Sequence, residues 1–228
     1  MTKPITALCF PFAGGNAYCY QKLKAQLPYE IKTLELPGRG TRSTEPFLKS
    51  ISALVSDFFD TNELPKDDYF LFGHSMGASL AYEIAVEVHN KQLNMPKCLV
   101  VSGRKAPTIA CEDDPPDYML SGQDFLDCLQ GYGGTPQAIL QEPELMAYFE
   151  PILKADLEAI DTYHNPTPLA LPIPVLVLVG TEDDAKGREV TDWNKTSSIS
   201  VDIKWFPGGH FFIFEQTALL KKHLQEMI

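Results

Sequence analysis

The chain has 228 residues, 44% of them hydrophobic, five cysteines and a formal net charge of -11. That length buries one large core, a single domain over residues 1–228, and the acidic balance argues against a nucleic-acid or anionic-membrane surface, because polyanions are held mainly by clustered Lys and Arg. Apolar runs such as Val175 to Val179 fall far short of the roughly 20 residues that span a bilayer, and Met1-Thr2-Lys3-Pro4 leads into no signal-peptide pattern, so the expected location is the cytoplasm.

Short β-rich apolar runs alternate with longer amphipathic stretches, the pattern of parallel strands joined by helical crossovers. In chain order the strands are expected at about Ala7 to Phe12, Ile31 to Leu36, Tyr69 to Phe72, Lys97 to Ser102, Ile173 to Val179 and Val201 to Phe206. Between them, helical patterns run near Ala17 to Gln26, Ser50 to Thr61, Met76 to Lys91, Arg188 to Asn194 and Ile213 to Met227. The result is an open α/β fold, a mostly parallel sheet with helices on both faces. The rhythm breaks between about Ala106 and Leu171, where no strand pattern appears, and this segment reads as an inserted helical lid over the C-terminal edge of the sheet. Within it Asp124 to Leu129 reads as helix, Gly131 to Pro136 as a turn, and Pro143 to Tyr163 as helix with a break or kink at Pro151. The cysteines (Cys9, Cys19, Cys98, Cys111, Cys128) are odd in number and lack CxxC spacing, so they read as reduced thiols, with neither a disulfide framework nor a zinc site.

The strongest local signal is Gly73-His74-Ser75-Met76-Gly77, placed directly after a strand and directly before a helix. A GxSxG pentapeptide there is a nucleophile elbow of the α/β-hydrolase type: flanking glycines relieve crowding in a strained turn that projects the serine hydroxyl. The Met76 amide and the helix dipole then lie where an oxyanion would form. A serine at its ordinary pKa needs a histidine base and an acid to orient it. Of the five histidines, His210 follows the last strand through Phe206-Pro207-Gly208-Gly209 and satisfies the chain order serine, acid, histidine. His74 sits inside the elbow and points away from the base position, while His89, His164 and His223 read as structural or exposed. The acid is expected after the fifth strand, where Glu182, Asp183 and Asp184 are adjacent; Asp183 is favoured, Asp184 is its main competitor and Glu182 a distant third. A second oxyanion donor is expected from the loop Phe10-Pro11-Phe12-Ala13-Gly14-Gly15-Asn16, with Ala13 preferred to Phe12, although a plain glycine-rich turn would carry the same residues.

Taken together, Phe10 to Gly15, Leu36-Pro37-Gly38-Arg39-Gly40-Thr41-Arg42, the Ser75 elbow, Ser102-Gly103-Arg104-Lys105-Ala106-Pro107, Gly133-Gly134-Thr135-Pro136 and Gly208-Gly209-His210-Phe211 resemble one family. It is the type II, or editing, thioesterases that accompany nonribosomal peptide and polyketide synthases. The resemblance covers nearly the whole chain and departs from the family around Asp183, where Asp184-Ala185 stands in place of a shorter acidic turn followed by proline. It implies hydrolysis of acyl thioesters on the phosphopantetheine arm of a carrier protein, without metal or organic cofactor, by a chain expected to be a monomer. A medium-chain acyl thioesterase that ends fatty-acid synthesis would share every catalytic residue, another serine esterase would share the triad, and a non-catalytic binding module would keep only the fold.

Two further features remain open at this level. Arg39 and Arg42 either shape the loop beside the substrate, or meet a carrier protein, or are merely solvated. In the insertion, Leu145, Phe149, Ile152, Leu153 and Ile160 recur at helical spacing as an apolar stripe that reads first as core. Asp156 falls on the same face. A carboxylate there needs hydrogen bonds, which suggests an anchor holding the lid near the acyl chamber, whose loss is expected to alter acyl-chain preference or KM more than the chemical step.

Overall fold

The computed structural model describes residues 4–228. Six strands, β1 (Thr6–Phe10), β2 (Glu30–Thr33), β3 (Tyr69–His74), β4 (Leu99–Ser102), β5 (Val175–Gly180) and β6 (Val201–Phe206), form one parallel sheet in the order β2-β1-β3-β4-β5-β6. The central strands are buried along their whole length, and mostly apolar, because both of their faces are covered. Side chains alternate between those faces. Leu8, Phe10, Leu71, Val101 and Val177 pack on one side beneath α2 (Ile51–Thr61) and α3 (Met76–Asn90), whereas Ala7, Cys9, Phe70, Phe72 and Val100 pack on the other with Leu23 and Leu224. The latter two belong to α1 (Gln21–Lys24) and α8 (Thr217–Met227).

β1 is flanked by β2 on one side and β3 on the other, so the chain reverses its direction of travel across the sheet at that point. In open α/β sheets the crevice beyond the carboxyl ends of the strands at such a switch point is where ligands bind. The loop after β1 and the turn after β3 both open there, since Phe10 pairs with Gly73 in the register of the two strands.

Between β4 and β5 the chain forms α4 (Gly122–Tyr132), α5 (Gln137–Gln141) and α6 (Pro143–Asp161), preceded by a short 3₁₀ turn at Asp117–Met119. α4 continues through Gly131 and Tyr132 and stops at Gly133, whose φ of 75° supplies the left-handed cap, so the expected turn shrinks to its second half. Proline starts α6 without penalty at its first position. The expected break at Pro151 does not occur: α6 is helical on both sides of it. Pro151 removes only the donor for the Ala147 carbonyl, and Ala147 is exposed, so water can satisfy that oxygen. Three helical expectations shorten. The first contracts to α1 because residues 16–20 form tight turns, Arg188 to Asn194 splits into α7 (Arg188–Thr191) and a 3₁₀ stretch, and the last helix starts at Thr217 after a 3₁₀ turn at Phe212–Phe214. In the apolar stripe of α6, Ile152, Leu153 and Ile160 are buried, Phe149 is half-buried and Leu145 is exposed, so the stripe is core only over its C-terminal half.

Candidate active site

The turn from β3 into α3 is sharp and strained. Ser75 sits at φ 53° and ψ −121°, a conformation that side-chain-bearing residues rarely adopt. It is held there by its amide, which donates to the Ser102 carbonyl of β4 at 2.8 Å. The two flanking glycines are steric necessities. A Cβ at Gly73 would lie 1.9 Å from the Gly77 carbonyl oxygen, and one at Gly77 would lie 2.1 Å from that of Phe10. Only bare backbone lets α3 start this close to the ends of β1 and β3.

His210 and the acidic turn are brought together by the ends of β5 and β6. Thr181 donates to Phe206 at 2.8 Å and Glu182 to Gly208 at 3.0 Å, which fastens the turn after β5 to the loop that carries His210. Asp183 is buried there, and its Oδ1 accepts the His210 Nδ1 proton at 3.0 Å and the Asp184 amide at 2.9 Å. A carboxylate oxygen accepts, so Nδ1 carries the proton and Nε2 is left with a free lone pair. Glu182 and Asp184 are exposed. Of the three adjacent carboxylates, Asp183 alone is turned inward onto the imidazole.

His74 lies behind this pair. Its ring centroid is 4.8 Å from that of His210, its Nδ1 is 3.1 Å from Ser102 Oγ, and burial first, then His210, lowers its pKa well below the usual histidine range. It therefore stays neutral beside His210. His89 and His164 are exposed, and His223 pairs with Glu226.

After β1, Gly15 donates to the Phe12 carbonyl at 2.8 Å, closing a turn in which Ala13 and Gly14 are central. Gly14 has φ 76°, the positive value that a type II turn demands at this place. Neither the Ala13 amide nor that of Met76, the first residue of α3, has a hydrogen-bond acceptor among the described residues. Arg39 is buried, which corrects the reading that it faces solvent or a carrier protein. Its guanidinium grips Asp156 of α6 at both oxygens, 2.6 Å each, and reaches the Gly15 carbonyl at 3.1 Å. Arg42 is tied to Glu45 and to Asp57 of α2.

A cavity of about 690 Å³ lies between the sheet's C-terminal edge and the insertion. Phe12, Ala13, Ser75, Phe149, Asp183 and His210 all line it. Arg39 and Asp156 do not; they stand behind the loop that carries Ala13, which removes them from direct substrate contact. The far wall brings in Arg104, Asp117, Asp161 and Cys128. Burial raises the Cys128 thiol to about 12, with Asp117 adding to the shift, and burial likewise raises Cys9, Cys19 and Cys98.

A family model described as a thioesterase domain matches residues 6–227. The chain belongs to the thioesterase family. It is a thioester hydrolase with the α/β-hydrolase fold. This thioesterase is 32% identical over 217 residues to thioesterase PikA5 of Streptomyces venezuelae, covering 93% of this chain and 76% of that one. Among solved structures it is similar to ClbQ from the colibactin NRPS/PKS pathway, with a TM-score of 0.88, 27% identity and coverage of 99% and 97% of the two chains. It is also similar to the type II thioesterase BorB from the borrelidin biosynthetic cluster, with a TM-score of 0.86, 27% identity and coverage of 100% and 94%. No described helix of this thioesterase is long and apolar enough to cross a membrane.

Residue-level reading of the sequence missed two tyrosines at the site. Tyr20 is fully buried; its hydroxyl donates to the Phe10 carbonyl at 2.8 Å and accepts the His74 amide at 3.2 Å, bridging the ends of β1 and β3. Tyr132 of α4 places its ring 5.4 Å from His210 and donates to Asp117 at 2.7 Å. Tyr20 was hidden inside an expected amphipathic helix, while Tyr132 lay within the expected Gly131 to Pro136 turn and carried no spacing that tied it to His210.

Asp161 in the far wall provides a test of the cavity's electrostatics. Burial lifts its carboxyl from 3.8 to about 6, with Asp117 adding to the rise and the Tyr118 amide and Arg104 opposing it. Between those two pH values the folded chain keeps a proton that the unfolded chain has lost, so stability falls as pH rises through the window. Asp161→Asn removes this linkage. Its Tm is expected to gain on the wild type as pH rises from about 4 to about 6 and to hold a constant gap above that. Calorimetry across pH 4 to 8 checks this, and a gap independent of pH over the whole range would count against it.

Proposed function

We propose that the chain hydrolyses acyl groups from the phosphopantetheine arm of a carrier protein and serves nonribosomal peptide or polyketide synthesis by clearing misprimed or stalled acyl groups. The observation that carries this reading is the convergence of a strained Ser75 with an Asp183–His210 pair on one cavity, in a chain whose relatives include type II thioesterases. In the proposed mechanism Ser75 Oγ adds to the thioester carbonyl carbon, and its proton passes to His210 Nε2. The carbonyl electron pair moves to oxygen, where the Met76 and Ala13 amides donate to it. Asp183 keeps the proton on Nδ1 and stabilises the imidazolium that forms. Collapse of the tetrahedral intermediate breaks the C–S bond, and the leaving pantetheine thiolate takes the proton from His210. Water, deprotonated by the same nitrogen, then releases the acid and restores Ser75.

The far wall supports polar acyl groups over long hydrocarbon chains, because a saturated chain filling the cavity would lie against Arg104, Asp117 and Asp161 and leave them poorly solvated. The test compares carrier proteins loaded with acetyl or aminoacyl groups and with chains of about eight to twelve carbons. Higher kcat/KM on the short and polar groups is expected. A preference of about tenfold or more for the medium chains would instead assign the enzyme to fatty-acid release.

A further inference from the structure

Asp156 comes from the middle of α6, yet its contacts are all with loops on the sheet side. Its Oδ2 accepts the Gly14 amide at 2.8 Å and Arg39 Nη1 at 2.6 Å, and its Oδ1 accepts Arg39 Nη2 at 2.6 Å. Arg39 Nη1 also donates to the Gly15 carbonyl. One carboxylate and one guanidinium thus hold the two residues that follow Ala13, one by its N–H and the other by its C=O. The side chain of Leu153, one turn earlier on α6, presses against the same place: a Cβ on Gly14 would lie 2.6 Å from its Cδ2. Both charged residues are almost wholly buried, Arg39 at 4% exposure and Asp156 at 0%.

Packing alone does not call for this arrangement. A buried ion pair is often no better for stability than apolar residues of the same volume, although removing one partner of it is strongly destabilising. What an apolar pair could not do is accept the Gly14 N–H or donate to the Gly15 carbonyl. The Ala13 amide points as the turn dictates, and the turn is held from α6.

We propose that Arg39 and Asp156 are positioning residues for the oxyanion loop, so that the Ala13 amide is correctly aimed only when α6 is seated on the sheet. This rests on the proposed Ser75 mechanism, in which the Ala13 amide is an oxyanion donor. It moves the expected effect of losing Asp156 from acyl-chain preference and KM to kcat, because the carboxylate touches the loop that serves the transition state and not the cavity wall.

The test is the double variant Arg39→Met/Asp156→Leu, which removes both charges together and keeps the apolar packing of α6. Hydrolysis of an acyl-pantetheine thioester is measured alongside inhibition by the matching acyl trifluoromethyl ketone. With the ketone, Ser75 Oγ adds to the carbonyl carbon, the serine proton passes to His210, and the electron pair settles on the oxygen that occupies the oxyanion site. The expected result is KM within about threefold of the wild type, with kcat and ketone affinity lowered together by about 10- to 100-fold, somewhat less than the 10²–10³ that deletion of an oxyanion donor costs. Wild-type kcat and ketone affinity in the double variant would overturn the proposal and leave the pair a packing feature. Should that variant fail to fold, Asp156→Asn and Arg39→Lys, assayed below their own melting temperatures, give the same readout: the proposal requires kcat to fall with KM steady, and a rise in KM alone refutes it. Failure of the underlying site reading is separately visible, because Ser75→Ala would then retain turnover and the ketone would bind as well to that variant as to the wild type.

Discussion

Ser75→Ala is expected to lower kcat for acyl-pantetheine hydrolysis by at least about 10⁴-fold while leaving the fold intact. The size of the loss follows from the chemistry, since without Oγ no acyl-enzyme forms and only direct attack by water remains. Retention of the fold follows from the geometry. The Ser75 side chain caps nothing at the start of α3, and the positive φ is held by the hydrogen bond its amide donates to the Ser102 carbonyl and by the flanking glycines, which alanine leaves unchanged. Release of thiol from the substrate measures the first part, and thermal denaturation the second. A fluorophosphonate probe should label the wild type and not the variant. Turnover within about tenfold of the wild type would mean that another group is the nucleophile.

The second large effect is expected at the acid. Asp183→Asn should reduce kcat by up to about 10⁴-fold, whereas Asp184→Asn should change it by less than about threefold. Asp183 Oδ1 already accepts two donors, His210 Nδ1 and the Asp184 amide, while its Oδ2 is buried without a partner. An asparagine faces two poor choices there. With its oxygen kept on His210, the NH₂ is buried without an acceptor and the negative charge that steadies the imidazolium is gone; turned over, the NH₂ meets two donors and forces the wrong imidazole tautomer. Asp184 is exposed at the cavity and reaches the Asp183–His210 pair only through its backbone amide. Steady-state rates of the two variants, each checked for thermal stability, decide between them, and a greater loss at Asp184 would shift the assignment by one residue.

The parts of this site that the sequence made legible are those encoded locally. Gly73 to Gly77 specify the elbow within five residues because each glycine answers a backbone contact made inside the turn or with the strand next to it. The order of Ser75, the acidic run and His210 follows from strands whose apolar runs were unmistakable. The choice among Glu182, Asp183 and Asp184 was not local. It depends on which carboxylate turns toward a loop from β6, and that is fixed by hydrogen bonds between the two loops. Arg39 and Asp156 lie still further apart, 117 positions in sequence. The face of α6 showed that Asp156 needed partners, but nothing in its own segment named Arg39 or Gly14. At Pro151 the break is absent because the carbonyl it orphans lies at an exposed position, where water can stand in for the missing donor.

Cys111 and Cys128 share the cavity with Ser75, and an acyl thioester is an activated donor that any nearby thiolate can capture by exchange. An unperturbed cysteine is a few per cent ionised at neutral pH and would compete for the acyl group. Burial, with Asp117 adding to it, pushes the Cys128 thiol up to about 12, so it stays protonated at pH 7. The acidic, enclosed far wall therefore does more than receive the acyl chain. It keeps the Cys128 sulfur protonated, so that on the proposed mechanism the acyl group passes to Ser75 and then to water instead of being stranded on that thiol.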